Sequence, residues 1–491
     1  MTLFPLLFSK GLSGNPDDYL TLQAASGWLN HFPFVGLEHR HLRYPHNLTV
    51  AGALSLLGEN NLSLIASAYL YHLLLLGVTL YVVRRLRDIH TALWVLFVLS
   101  ATPIFAAFAT SIVPFTIEVF FMIASLLLFY WGRESQSARS LWLISAGIFA
   151  GLAWETRETS GALILMYGLL FLFAPGMERR HYFWMGGGFL TVWGGEMCYH
   201  AFFVGDPLYR FHVTSATFDQ AKGLTVHLRH HDFNSDSHIF NFAMAASWMP
   251  SGLFDLHWSI NAWINLFFED DYGLLFWLAL PAGWSIWHDH DHPQLRRLIG
   301  LSWLLGLCTI FWCFYLFTLM QQPRYVGTLP YAAALLVGYW LANLYRHSRA
   351  SSLLLAALLL ISGTIAISSK PDELFRERQL ATFVQDLPEA VHILPALAEH
   401  GGPVLKPLLD AGRLRTTHPD ANALVAGDPK HWKNHYSDLK ALQWELVARI
   451  ERPLPLVTRI LQTIQLLPIL PESIRKQLIP PSTSLPIHRV S

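Results

Sequence analysis

From residue 62 to 204, and again from 272 to 368, the chain is a succession of apolar runs about twenty residues long, joined by short polar connections. No other feature narrows its fold as far. Such a run matches the hydrocarbon thickness of a bilayer, and in lipid each backbone N–H and C=O must be satisfied inside its own helix. Membrane helices are therefore expected at 62–83, 91–110, 112–131, 140–154, 160–174, 182–204, 272–287, 298–319, 327–345 and 351–368. Within 91–131 a break is expected around Thr110-Ser111, as two helices or a re-entrant pair. Charge agrees with this reading: 14% of the 491 residues are charged, against about 25% in soluble chains, whose surfaces need them. The formal net charge is +0 and no nucleic-acid motif is present, so nucleic acid is not an expected partner. Cys198, Cys308 and Cys313 all fall in apolar runs, and buried packing is expected of them rather than a disulfide or a metal knuckle. Met1–Phe8 is too short for a signal peptide, and no period of about 20–50 residues repeats.

Arginine gives the orientation. Alternate short loops carry Arg84, Arg85 and Arg87; Arg133 and Arg139; Arg179 and Arg180; Arg296 and Arg297; Arg346 and Arg349. The opposite short loops hold only Arg157 and Arg324. The arginine-rich side is expected in the cytoplasm. The other side then carries the first outer loop (11–61), the long outer loop (205–271) and the tail. The fold class expected is an all-α polytopic membrane protein over 1–368, with about ten or eleven spans. A small extracytoplasmic C-terminal domain follows over 369–491, and the sequence leaves open whether it is all-α or α/β. Tyr19–Phe34 and the tryptophans Trp248, Trp258 and Trp263 suggest helices lying in the membrane interface. Helical periods are also read near 373–399 and 437–452.

Ionisable residues crowd the outer ends. Asn15-Pro16-Asp17-Asp18-Tyr19 sets two carboxylates at the membrane surface, fit for a general base or a divalent metal, and equally fit for a turn whose Asp17 caps a helix. Glu155-Thr156-Arg157-Glu158-Thr159 packs three ionisable groups between two apolar runs, which is costly unless they are paired or used. Gln321-Gln322-Pro323-Arg324-Tyr325 carries the other outer arginine, Glu118 is an acid a few residues into a span, and His39, Arg40, His41, Arg43 and Tyr44 form a basic-aromatic run before Pro45. Two outer arginines against the positive-inside bias point to a shared anion. The plainer alternative pairs Arg157 with Glu155 or Glu158 and lets Arg324 snorkel. The histidine clusters at 288–292 and 230–232 read as solvated loops.

In this order the motifs resemble the GT-C superfamily of membrane glycosyltransferases, in its bacterial branch related to protein O-mannosyltransferases and the lipid A aminoarabinose transferase. The resemblance covers roughly 15–345. It rests on Asp17-Asp18 with the amphipathic stretch and Tyr44-Pro45 behind it, and on Gly151-Leu152-Ala153 leading to Thr156-Arg157-Glu158-Thr159. Gly205-Asp206-Pro207-Leu208 follows a later span, and Pro323-Arg324-Tyr325 opens another. The family's helix ahead of the acidic loop has no counterpart in Met1–Leu12, and its second acid is missing from Ile112-Val113-Pro114, with Glu118 the substitute at hand. The resemblance implies a GT-C-like fold in the bacterial inner membrane and a polyprenyl-phosphate-linked sugar donor used on the extracytoplasmic face. The acceptor would be a hydroxyl of a lipid, a glycan or a protein. It also implies a catalytic Asp17 with Asp18 beside it. Arginine forks suit the departing phosphate, which gives Arg157 and Arg324 that role with Tyr325, and leaves Glu118, Glu158, His41, Arg43 and Tyr44 in support. No cofactor is assigned on this reading, and a divalent metal at Asp17 and Asp18 stays open. A transporter or flippase-like carrier is the competing class. It would show inverted repeats and mid-membrane charges, whereas a non-catalytic scaffold would not need acids and arginines gathered on one face.

Overall fold

The computed structural model describes residues 16–490 except 59, 136, 175, 217–262, 264–265, 289–291, 317–322, 370–373, 386, 452–453, 455 and 470–483. The chain divides into two compact units, Leu20–Ile367 and Ser368–Ser491, the latter joined by Leu12–Tyr19.

The first unit is helical. After α1 (Pro16–Asn30) and a 3-10 turn (His39–Leu42) come α2 (Tyr44–Leu57), α3 (Asn61–Leu86), α4 (Ile89–Ala101), α5 (Pro103–Phe108), α6 (Phe115–Glu134) and α7 (Arg139–Thr156). The series continues with α8 (Ala162–Phe173), α9 (Tyr182–Phe203), α10 (Leu275–His288), α11 (Pro293–Ile310), α12 (Thr328–His347) and α13 (Arg349–Ser369). Among the described residues, four helices are individually long and apolar enough to cross a membrane: Leu62–Leu86, Phe115–Glu134, Pro293–Leu316 and Arg349–Ile367. The expected span 91–110 is not one helix. Pro103 lacks an N–H and cannot continue α4, so the chain bends at Thr102 and restarts as α5. A second break follows from Ala109 to Pro114, around the expected joint at Thr110-Ser111. The Ile104 amide left over by the first break donates to the Asp271 carbonyl at 2.9 Å.

The sequence of each helix explains its depth. α6 is apolar all round and 83% of its most apolar window is buried, against 33% for α13, so α6 is the central post and α13 a peripheral one. α7 packs on both α6 and α9, and α12 on α4, α10 and α11. At the α7–α9 crossing the helices touch backbone to backbone. A Cβ on Gly147 would collide with the Met185 carbonyl oxygen, and one on Gly188 with that of Ile144. Hydroxyl pairs tie other helices: Thr79 with Tyr331 (3.0 Å), Ser125 with Tyr167 (2.7 Å) and Thr309 with Thr328 (2.8 Å). Small residues and hydroxyls do this work because lipid gives helices no hydrophobic reason to associate. Arginine-rich joints meet one another at one end. Arg346 pairs with Asp88 at 2.7 Å, Arg87 bonds Asn343, and Arg297 pairs with Glu134 at 3.2 Å. Cys308 and Cys313 are buried as expected, but Cys198 is exposed on α9.

The second unit settles the class of the tail as α/β. Its five-stranded sheet has the order β2-β1-β3-β5-β4, built from β1 (Val391–Ile393), β2 (Leu414–Arg415), β3 (Leu424–Ala426), β4 (Trp444–Ile450) and β5 (Leu485–Val490). The first three are parallel, and β5 runs antiparallel to β3 and β4. Helices α14 (Phe375–Gln385) and α15 (Pro395–Asp410) cover one face, where Leu380, Leu405, Leu424 and Ala426 share a core. α16 (Pro429–His435) covers the other, with Val425, Trp432 and Val490. The alternation along β3 is that of a strand buried on both faces. The helical reading of 437–452 is therefore wrong: Ser437–Ala441 is a 3-10 turn and Trp444–Ile450 is β4. Six residue pairs with β5 outweigh the weak helical period of that stretch.

Candidate functional site

The site begins where α7 ends. Thr156 closes the helix, Arg157 takes an extended backbone (φ −169°, ψ 139°), and Glu158–Gly161 turns into α8. That single extended residue sends neighbouring charges in different directions. Gly161 is needed here: any Cβ would enter the Trp312 ring, whose Nε1 donates to the Glu158 carbonyl at 3.0 Å and holds the turn.

Arg157 turns towards α6 and the entry to α12. Its Nη1 lies 3.5 Å from Glu118 Oε2 and donates to the Arg324 carbonyl at 3.2 Å. Its guanidinium stacks 4.3 Å over the Tyr325 ring, and that of Arg324 lies 5.6 Å from the same ring. Thr159 donates a short hydrogen bond to the other oxygen of Glu118. Arg157 and Glu118 are 5% and 4% exposed, so the pair is a buried one. Arg157, Arg324, Tyr325 and Glu118, four of the residues singled out in the sequence, are thus brought together from α6, the α7–α8 turn and the 3-10 turn Pro323–Tyr325.

Glu155 and Glu158 turn the other way, to a residue the sequence did not flag. Arg210 meets Glu155 at 2.7 Å, Glu158 at 3.1 Å and Glu196 of α9 at 3.2 Å, and donates to the carbonyls of Leu42 and Trp154 at 3.0 and 3.1 Å. Burial works against the Glu158 charge, but Arg210 and then Arg43 outweigh it and hold its carboxyl below the usual range. Glu196 carried a signal that could have found this cage, being an acid inside an expected span. Arg210 carried none, because arginine is unremarkable in a long loop.

The basic-aromatic run borders both clusters. Arg43 is buried, His41 is buried with its ring 6.0 Å from Phe34, and the Tyr44 hydroxyl shares a 2.5 Å hydrogen bond with His200. Asn47 ties the turn by donating to the carbonyls of Arg40 and His41 at 3.0 and 2.9 Å. His46, fully buried in α2, is pushed down to about 3 by desolvation and then by Arg43 and Arg157, and stays neutral. The motif 205–208 is a helix stop. Gly205 adopts φ +76°, open to glycine at little cost, and Asp206 accepts from the Leu208 amide at 3.0 Å and pairs with His212 at 2.7 Å.

Asp17 and Asp18 lie in the first turn of α1, on the stretch that groups with the second unit. The Asp18 side chain is buried, while that of Asp17 lies outside the described residues. Gln321-Gln322, most of the cluster 288–292, the cluster 230–232, and Trp248 and Trp258 also lie outside them. Among the described residues no three His, Cys, Asp or Glu side chains converge as metal ligands.

Residues 46–192 match the family described as dolichyl-phosphate-mannose-protein mannosyltransferase. No curated protein matches the chain in sequence. Among solved structures, ArnT from Cupriavidus metallidurans in the apo state is similar at 13% identity and a TM-score of 0.46, over 89% of this chain and 92% of that one. The same protein bound to undecaprenyl phosphate is similar at 12% identity and 0.45, over 91% and 95%. The oligosaccharyltransferase of Archaeoglobus fulgidus, in complex with zinc and sulfate, is similar at 14% and 0.46, over 83% of this chain and 59% of that one.

Proposed function

We propose that this chain is a GT-C-type membrane glycosyltransferase related to the protein O-mannosyltransferases, and that it moves a hexosyl or pentosyl group from a polyprenyl-phosphate donor to an acceptor hydroxyl. The acceptor is a lipid, a glycan or a protein, and the reaction takes place on the periplasmic face of a bacterial inner membrane. One observation carries the reading. Arg157 and Arg324, 167 residues apart, converge on the Tyr325 ring, with the Glu118 carboxylate beside Arg157. Two guanidiniums gathered at one ring offer planar donor forks that suit a phosphate, and a lipid-linked phosphate is an anion delivered at membrane depth.

In the reaction the bond from the sugar's anomeric carbon to the phosphate oxygen breaks while the acceptor oxygen bonds that carbon. The acceptor's proton passes to the Asp17 carboxylate, a contribution of about 10²–10⁴-fold. Polyprenyl phosphate leaves with one more negative charge, which Arg157 and Arg324 meet with fixed donors. Glu118 and Thr159 orient Arg157, and Tyr325 provides the face on which both arginines rest. A divalent metal, where one is used, belongs with Asp17 and Asp18, and no step above depends on it.

The test is sugar release from a labelled polyprenyl-phosphate donor by the protein reconstituted in liposomes. Wild type should release sugar to acceptor, and Asp17→Asn should insert normally and lose most of the release. Donor that crosses the bilayer with its sugar still attached would replace this reading with that of a carrier.

A further inference from the structure

The second unit ends its described helical part in α17 (Leu456–Thr463). The helix stops firmly. The Leu466 amide donates to the Leu461 carbonyl at 2.9 Å and that of Gln465 to Gln462 at 3.1 Å, with Gln465 at φ +56°. This pairing is a Schellman stop, here with glutamine where glycine is usual. The chain then turns through Leu467–Ile469. Thr458 and Leu467 face inwards and are buried. The outward side is aliphatic: Ile460 is 50% exposed, Ile464 54%, Leu466 44% and Ile469 75%. Ile460 and Ile464 stand one above the other at i and i+4, flanked by exposed Arg459, Gln462 and Thr463.

Scattered exposed aliphatics need no explanation, but four within ten residues, on a segment whose inward side is already satisfied, do. A bilayer is the surface within reach. Five residues, 370–374, separate the membrane helix α13 from α14, and a tether of that length extends roughly 20 Å. The flanking Arg459 suits phosphate headgroups. The strip exposes on the order of 400 Å², about half of what one partner buries in a specific protein interface, so a second copy is the poorer fit. We propose that Ile460, Ile464, Leu466 and Ile469 insert into the headgroup–acyl boundary of the bilayer that α13 crosses, so that this strip seats the C-terminal unit on the membrane surface. The proposal is independent of the catalytic reading.

Spin labels test it on the full chain in nanodiscs of phosphatidylethanolamine and phosphatidylglycerol, with Cys198→Ser removing the exposed native thiol. Labels at Ile460→Cys and Ile464→Cys should show an oxygen-to-nickel-chelate accessibility ratio at least about threefold above those at Gln462→Cys and Thr463→Cys. Equal ratios would place the strip in water, and exclusion of both reagents would place it against protein. Either result overturns the proposal. Wild-type chain with photoactivatable lipids supplies a readout free of substitutions. Adducts are expected on the peptide 456–469 as well as on α13, and adducts on α13 alone would also overturn it.

Discussion

At the residue scale the two arginine clusters make opposite predictions. Arg157 and Arg324 gather at Tyr325, and lysine can pair or snorkel there but cannot present a planar fork or stack as well. Arg157→Lys and Arg324→Lys should each keep expression and lose donor affinity or turnover by about tenfold or more, roughly 1.4 kcal/mol, measured by donor titration in liposomes. Wild-type kinetics in both would make these arginines structural. Arg210 is a structural cage by comparison. Arg210→Met strands the buried Glu155 and Glu196, and about 3–5 kcal/mol of destabilisation is expected. Adding Glu155→Gln and Glu196→Gln should recover much of the lost thermal midpoint, and an unchanged midpoint on adding them would mean the cage is not what fails. The sequence showed the first cluster because arginine in the short loops opposite the arginine-rich ones breaks a strong rule. It hid the second because its arginine comes from a long loop, where the rule is silent, and because pairing partners 14 to 55 residues apart leave no local pattern.

Elements were legible where one period dominates and obscure where two compete. The helices α3, α6, α9 and α13 lie within a few residues of their expected spans, since a long apolar run in lipid has one outcome. The break at Thr102 was missed because Pro103 sits in an otherwise uniform run, and membrane helices often tolerate proline. β4 was missed because an edge strand draws its stability from a partner, β5, that lies far along the chain. The α7–α9 crossing allows a sharper test. Gly188→Ala must push the two backbones apart and should lower the thermal midpoint, at about 1–3 kcal/mol. Gly194→Ala, on the same helix with open space around it, should be neutral or gain up to about 1 kcal/mol. Equal effects from the two would mean that the close crossing does not hold the bundle.

For the whole molecule the membrane class was readable from charge and hydropathy alone, whereas the tail's mixed sheet was not, because short buried strands carry no period of their own. Orientation remains the most exposed prediction. A phosphatase reporter fused after Ser368 should be active only outside the cytoplasm, as the arginine-rich joints require. A reporter active only inside would invert the molecule and every site with it. The hydroxyl pairs Thr79–Tyr331, Ser125–Tyr167 and Thr309–Thr328 have a practical consequence. They join helix to helix without a lipid between, so extraction into a mild detergent removes nothing they depend on. A purified sample that has lost turnover should therefore be given back lipid before its fold is blamed, because what solubilisation strips away is the solvent in which the proposed lipid-linked donor would be presented, and the helical frame travels with the protein.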